Sequence, residues 1–185
     1  MIKAKMTESL MSEYTPYTYK GYPRGLKYPY TYPVPSLRER DRRWREIRRS
    51  MERHNLDCLI IGTSYGFMPW PGYTYVQYVS NYSYHTIGGT FVLFPLDGEP
   101  FLAVTTSFGP QFMFIAYEAS WIKDIQGSLN PAQDIVNKIK ERGLEKGRIG
   151  IVGYREMIFP AVVYDGLCEK LPKTQFQDAT LVMAE

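Results

Sequence analysis

A chain of 185 residues, 44% hydrophobic and 22% charged, supplies one packed core of about 150 residues plus a tail, which excludes a second catalytic domain. Its formal net charge of +3 is too small to argue for nucleic acid unless the basic residues gather on one face. Cys58 and Cys168 lie far apart in apolar segments, a pattern for reduced thiols and not for a disulfide framework. With no signal-peptide core at its start and no apolar run of roughly 18 residues, the chain reads as soluble and cytoplasmic.

Residues 14–35 interleave seven tyrosines with five prolines and two glycines. Proline at this density forbids a helix or an internal strand, so residues 1–35 are expected to form an extended or polyproline-like arm ahead of a domain at 36–185. Tyrosine carries a large apolar ring with a polar tip, so the arm suits its own domain, a sister subunit or a partner domain.

From Ser36 the pattern turns helical. Ser36 is an N-cap with Glu39 three residues on, and Leu37, Trp44, Ile47 and Met51 recur at helical spacing to about His54. This helix holds eight arginines against Glu39, Asp41, Glu46 and Glu52. Two readings follow: an acidic partner such as nucleic acid, or a solvated face whose acids pair at three- and four-residue offsets.

Cys58 to Ile61 is short and wholly apolar, the mark of a central strand. An aromatic-rich loop, 62–72, and the segment 73–85 lead to Thr90–Thr105. That stretch reads as two apolar strands joined by a tight two-residue turn at Asp97-Gly98, and it is covered on both faces. Further on, the pattern predicts a helix at 110–119, a strand at 121–125 and a helix from Asn130-Pro131 through Arg142, ended by Gly143. A strand at 148–152, a helix at 160–171 with Val163, Leu167 and Leu171 inward, and a strand at 174–176 follow. Asp178-Ala179-Thr180 then starts another helix. Alternating strands and helices imply an α/β sheet between helical layers.

Most chemical motifs lack their context. Gly62-Thr63-Ser64-Tyr65-Gly66 has the nucleophile-elbow form, but Pro69 and Pro71 block the helix it needs, and no acid or histidine follows in a usable order. The only histidines are His54 and His85, and His54 with Cys58 does not make a closed zinc site. His54 suits a helix C-terminus. No glycine-rich phosphate loop is present. Asp97 and Glu99 flank a hairpin tip, while Asp57, Asp124 and Asp178 have turn or capping positions. The unusual feature is the run of rings from Tyr65 to Tyr82, of a kind that binds or docks when exposed.

Five stretches in order resemble the N-terminal domain of the creatinase/prolidase family, which includes Xaa-Pro peptidases: Leu56–Ile61 after its helix, Tyr78–Tyr82, Leu96–Pro100, Gly147–Ile151 and Phe176–Val182. The resemblance covers about 150 residues, a typical domain length. It implies a three-layer α/β/α domain with a mixed, ribonuclease-H-like central sheet, ahead of a C-terminal catalytic domain that binds two divalent metals through two Asp, one His and two Glu. None of those ligands is assigned in this chain, so no catalytic residue and no cofactor is expected within it. The resemblance also implies homodimer contacts and places Tyr78, Asn81, Tyr82, His85 and Trp70 near a substrate. Asn81 stands where glycine is common in that family. A membrane partner and nucleic acid are not expected, although a stand-alone module binding nucleic acid or nucleotide through the arginine helix and tyrosine loops is the alternative.

Overall fold

The computed structural model describes residues 14–16, 33–62, 72–82, 89–105, 120–154 and 159–185. The chain divides into two compact units, Met1–Arg42 and Arg43–Glu185, the boundary falling inside a helix.

In the first unit, β1 (Tyr14–Pro16) and β2 (Pro33–Pro35) pair antiparallel, with Thr15 opposite Val34. This pairing was not anticipated from sequence, and the rest of the expected arm, 1–13 and 17–32, lies outside the described residues. A two-stranded ribbon has only edges, where a residue without an N–H is tolerated.

Helix α1 (Leu37–Arg53) begins at Ser36, whose Oγ accepts the Glu39 N–H at 3.2 Å. The Glu39 carboxylate pairs with Arg42 at 2.7 Å. Trp44, Ile47 and Met51 are buried as expected, whereas Leu37, the first residue of the helix, is 60% exposed.

The second unit holds a six-stranded sheet made of β3 (Cys58–Gly62), β4 (Thr90–Pro95), β5 (Phe101–Thr105), β6 (Asp124–Ser128), β7 (Arg148–Val152) and β8 (Gln175–Asp178), in the order β6-β5-β4-β3-β7-β8. β4 runs antiparallel to both neighbours, and the other adjacent pairs are parallel. Period-two alternation sends Leu59, Ile61, Val92 and Phe94 to one face with Trp44, Ile47 and Met51 of α1 and Val76 and Val79 of α2 (Gly72–Ser80). Cys58, Ile60, Phe91 and Leu93 go to the other face, with Ile135 and Ile139 of α3 (Pro131–Glu141) and Val163 and Leu167 of α4 (Ala161–Lys170). The fold is therefore the expected three-layer α/β/α arrangement, and β3 is a central strand.

Four expectations shift. The connection between β4 and β5 is not a two-residue turn: Leu93 opposes Phe101, β4 continues to Pro95 against Cys58, and of Asp97 and Gly98 only Gly98 has positive φ. Pro95 and Pro100 cannot donate to a tighter ladder. Residues 72–80, assigned no element from sequence, form α2, because burying Val76 and Val79 outweighs the strand preference of Tyr and Val. The strand expected at 121–125 starts instead at Asp124, since the Trp121 N–H goes to Ser80 O and the Ile122 N–H to Ser120 Oγ. The strand expected at 174–176 is Gln175–Asp178, with the Thr174 N–H bonded to Leu171 O. Asp178 Oδ1 accepts both the backbone N–H and the hydroxyl of Thr180 at the start of a 3-10 turn, Thr180–Met183. The helix expected at 110–119, most of the loop at 62–72 and the stretch 83–88 lie outside the described residues.

Candidate functional site

In an open α/β sheet, ligands bind beyond the carboxyl ends of adjacent parallel strands where the chain departs in opposite directions. Here those strands are β3 and β7, and two rings of the described residues pack against Gly62 at the end of β3. Phe91 and Phe159 meet edge-on with centroids 5.8 Å apart, and a Cβ on Gly62 would come within 2.7 Å of Phe91 and 2.9 Å of Phe159.

Of the carboxylates considered from sequence, Asp57, Asp124 and Asp178 have structural partners. Asp57 Oδ2 accepts the Arg148 N–H at 2.7 Å, and Asp124 pairs with Lys138 at 3.2 Å and Arg142 at 3.4 Å. His54 lies 3.1 Å from Glu185 at the C-terminal end of α1. Burial pushes the Cys58 thiol far above its ordinary pKa, away from the thiolate that a metal or an electrophile would need. Among the described residues no group of three His, Cys, Asp or Glu is placed to hold a metal ion, so they do not fit the metal pair that the resemblance implies. Ser64 lies outside the described residues.

The arginines of α1 divide by environment. Arg42 and Arg49 pair with Glu39 and Glu46 three residues away, as the solvated-face reading expects. Arg53 pairs with Glu185. Arg43 and Arg48 instead lie over rings: Arg43 over Tyr78 and Trp121, Arg48 over Trp44 and Phe94.

Three of the five residues placed near a substrate come together at the C-terminal end of α2. The final carbonyls of a helix lack intrahelical donors, and here outside groups complete the set. Gln77 O takes the Asn81 N–H at 2.8 Å. Tyr78 O takes Arg43 Nη1 at 3.2 Å, and Val79 O takes Trp44 Nε1 at 2.8 Å. Ser80 O takes the Trp121 N–H at 2.8 Å and Ser120 Oγ at 3.2 Å. Ser80 Oγ donates to Val76 O at 2.6 Å and accepts the Tyr82 N–H at 3.0 Å. The Arg43 cation also complements the negative helix end and stacks 4.4 Å from the centroid of Tyr78 and 5.4 Å from that of Trp121.

Asn81 follows with φ +59, a left-handed conformation that suits glycine or asparagine. Tyr78 and Asn81 are half-buried, while Tyr82 is 3% exposed and belongs to the core. Trp70 and His85 lie outside the described residues. Sequence reading missed Arg43, Trp44, Ser80 and Trp121, since local pattern does not pair positions 35 residues apart. The one available signal was Asn81 itself, a left-handed helix stop after an apolar run.

The stretches that carried the family resemblance are also packing partners. Asp57 O accepts the Leu96 N–H at 2.9 Å, while its side chain takes the Arg148 N–H. Gly150 leaves room for Leu56, Leu59 and Ala179, and the Gly153 N–H donates to Thr180 Oγ1 at 2.9 Å.

Comparison with known proteins follows the same lines. The Creatinase/Prolidase N-terminal domain family matches residues 43–185. No curated protein matches the chain. Among solved structures, an Xaa-Pro aminopeptidase from Streptococcus thermophilus is 17% identical with a TM-score of 0.58, over 78% of this chain and 95% of that one. The N-terminal domain of the cytoplasmic peptidase PepQ from Mycobacterium tuberculosis H37Rv is 16% identical with a TM-score of 0.56, over 77% and 96%. An Xaa-Pro dipeptidase from Bacillus anthracis is 12% identical with a TM-score of 0.58, over 77% of this chain but 34% of its own. Identities this low carry the fold alone; the family match carries membership. The chain belongs to the creatinase/prolidase family, with the N-terminal domain of that family at residues 43–185.

Proposed function

We propose that this chain is the non-catalytic N-terminal domain of a metal-dependent hydrolase resembling Xaa-Pro dipeptidases, aminopeptidases or creatinase. It supplies oligomer contacts and part of a substrate-pocket wall. The carrying observation is one of extent: the chain spans 96% of an isolated peptidase N-terminal domain but 34% of an Xaa-Pro dipeptidase. Bond cleavage and the divalent metal pair then belong to a C-terminal catalytic domain, and the described residues here position and do not react. Tyr78 and Asn81, half-buried on a turn held through Tyr78 O, Val79 O and Ser80 O, are the side chains best suited to face a substrate. Tyr82 supports them from the core; the substrate contacts proposed for Trp70 and His85 fall outside the described residues.

The test uses residues 1–185 alone and the same residues joined to the segment that follows in the gene. Each is assayed with Mn²⁺ or Co²⁺ against Xaa-Pro dipeptides and creatine. The reading expects no turnover by the first and metal-dependent turnover by the second. Enzyme-like turnover by residues 1–185 alone would falsify it.

A further inference from the structure

A helix end ordinarily has its last carbonyls satisfied by water, by a glycine turn or by its own backbone. At α2 the donors come instead from distant elements, and one residue contributes twice. Arg43 donates Nη1 to Tyr78 O while its guanidinium lies 4.4 Å from the centroid of the Tyr78 ring. Its other ring contact, Trp121, heads the strand-side segment whose N–H holds Ser80 O. Backbone and ring of one half-buried tyrosine are thus restrained by a single planar cation. The neighbouring arginines Arg42 and Arg49 spend their donors on carboxylates of the same helix, and Arg48, which also lies over rings, donates to Gly98 O and not to the α2 end. Lysine does not reproduce it, because an ammonium lacks the flat face and the forked donors that stack and donate at once.

We propose that Arg43 is a positioning residue: it holds Tyr78 and the following Asn81 in one pose toward the ligand whose pocket they line. The inference rests on the reading of this turn as a pocket wall. Binding then requires no reordering of the turn, so Arg43 acts on substrate affinity and leaves the chemical step alone.

Two measurements decide it, on Arg43→Met and, as the variant least disturbing to folding, Arg43→Lys. Amide hydrogen exchange in residues 1–185 should quicken at least tenfold at Asn81, Tyr82 and Trp121 in both variants, with β3 and β4 unchanged. In the protein carrying the catalytic segment, KM for an Ala-Pro dipeptide should rise about fivefold or more in both variants with kcat within about twofold. Tyr78→Leu should raise KM similarly, and its combination with Arg43→Met should add little. Unchanged exchange at the turn, equal quickening through the whole sheet, or a loosened turn with unaltered KM would each overturn the proposal. If no Ala-Pro hydrolysis is found, the pocket reading fails, and the exchange pattern alone decides whether Arg43 positions the turn.

Discussion

Ala179 lies against the bare Cα of Gly150, so closely that a Cβ built on Gly150 would be 2.4 Å from the Ala179 Cβ and 2.7 Å from Leu59 Cδ2. The contact joins a central strand to the turn after β8, through two of the stretches that carry the family likeness. It makes glycine at position 150 a packing requirement.

Gly150→Ala is therefore expected to destabilise the fold by about 1–3 kcal/mol through overpacking. Gly166 supplies the control: it lies inside α4, and a Cβ there meets nothing within 4 Å. Gly166→Ala should stabilise by about 0.5–1 kcal/mol because a helix interior favours alanine. Urea unfolding of the two variants should move the midpoint in opposite directions.

Asn81, with φ +59, tests the helix stop. Replacement by alanine should cost about 1 kcal/mol or more, and replacement by glycine less than about 0.5 kcal/mol. Equal losses in chemical denaturation would show that the asparagine side chain matters more than the backbone conformation.

The thiols should separate by reactivity. Cys58 is fully buried in the central strand and its ionisation is pushed up, chiefly by burial; Cys168 is half-buried on α4. A disulfide reagent at pH 8 should modify Cys168 in the native protein and reach Cys58 only on unfolding. Peptide mapping after labelling in buffer and in denaturant gives the answer.

Glu185 links its turn to the end of α1 through Arg53 at 2.6 Å, Ser50 at 2.8 Å and His54 at 3.1 Å. Hydrogen bonds from Arg53, Ser50 and His54 lower its carboxyl from 4.5 to about 2. The folded value lies below the ordinary one, so the contribution is complete above about pH 4.5 and is lost as pH falls through about 2. The difference in melting temperature between wild type and Glu185→Gln should accordingly shrink across that window. It should also shrink in high salt, because the group is exposed. A difference independent of pH and salt would assign it to packing.

Much of the fold is legible without coordinates, and the residues show why. Cys58–Ile61 and Ile149–Val152 are unbroken apolar runs, and Asn130-Pro131 and Gly143 bracket a helix with a side-chain cap and a left-handed stop. Where the reading slipped, long-range partners had outvoted local preference. Tyr75, Val76 and Tyr78 favour strand but coil into α2, and Trp121 and Ile122 look like strand residues, yet their N–H groups are committed to Ser80 and Ser120. Arg43 looked like one more charge on a solvated face until its two ring partners were in place.

Sequence alone determined the layered class, the central strands and the helix caps, because hydrophobic period and turn chemistry act within a few residues; the family came from the resemblance of five ordered stretches. Tertiary structure decided the register of the β4–β5 connection, the packing of Phe91 and Phe159 against Gly62, and the bonding of the α2 terminus by Arg43 and Trp44. Those depend on which distant donors and rings meet across a packed interior, and local preference holds no record of that.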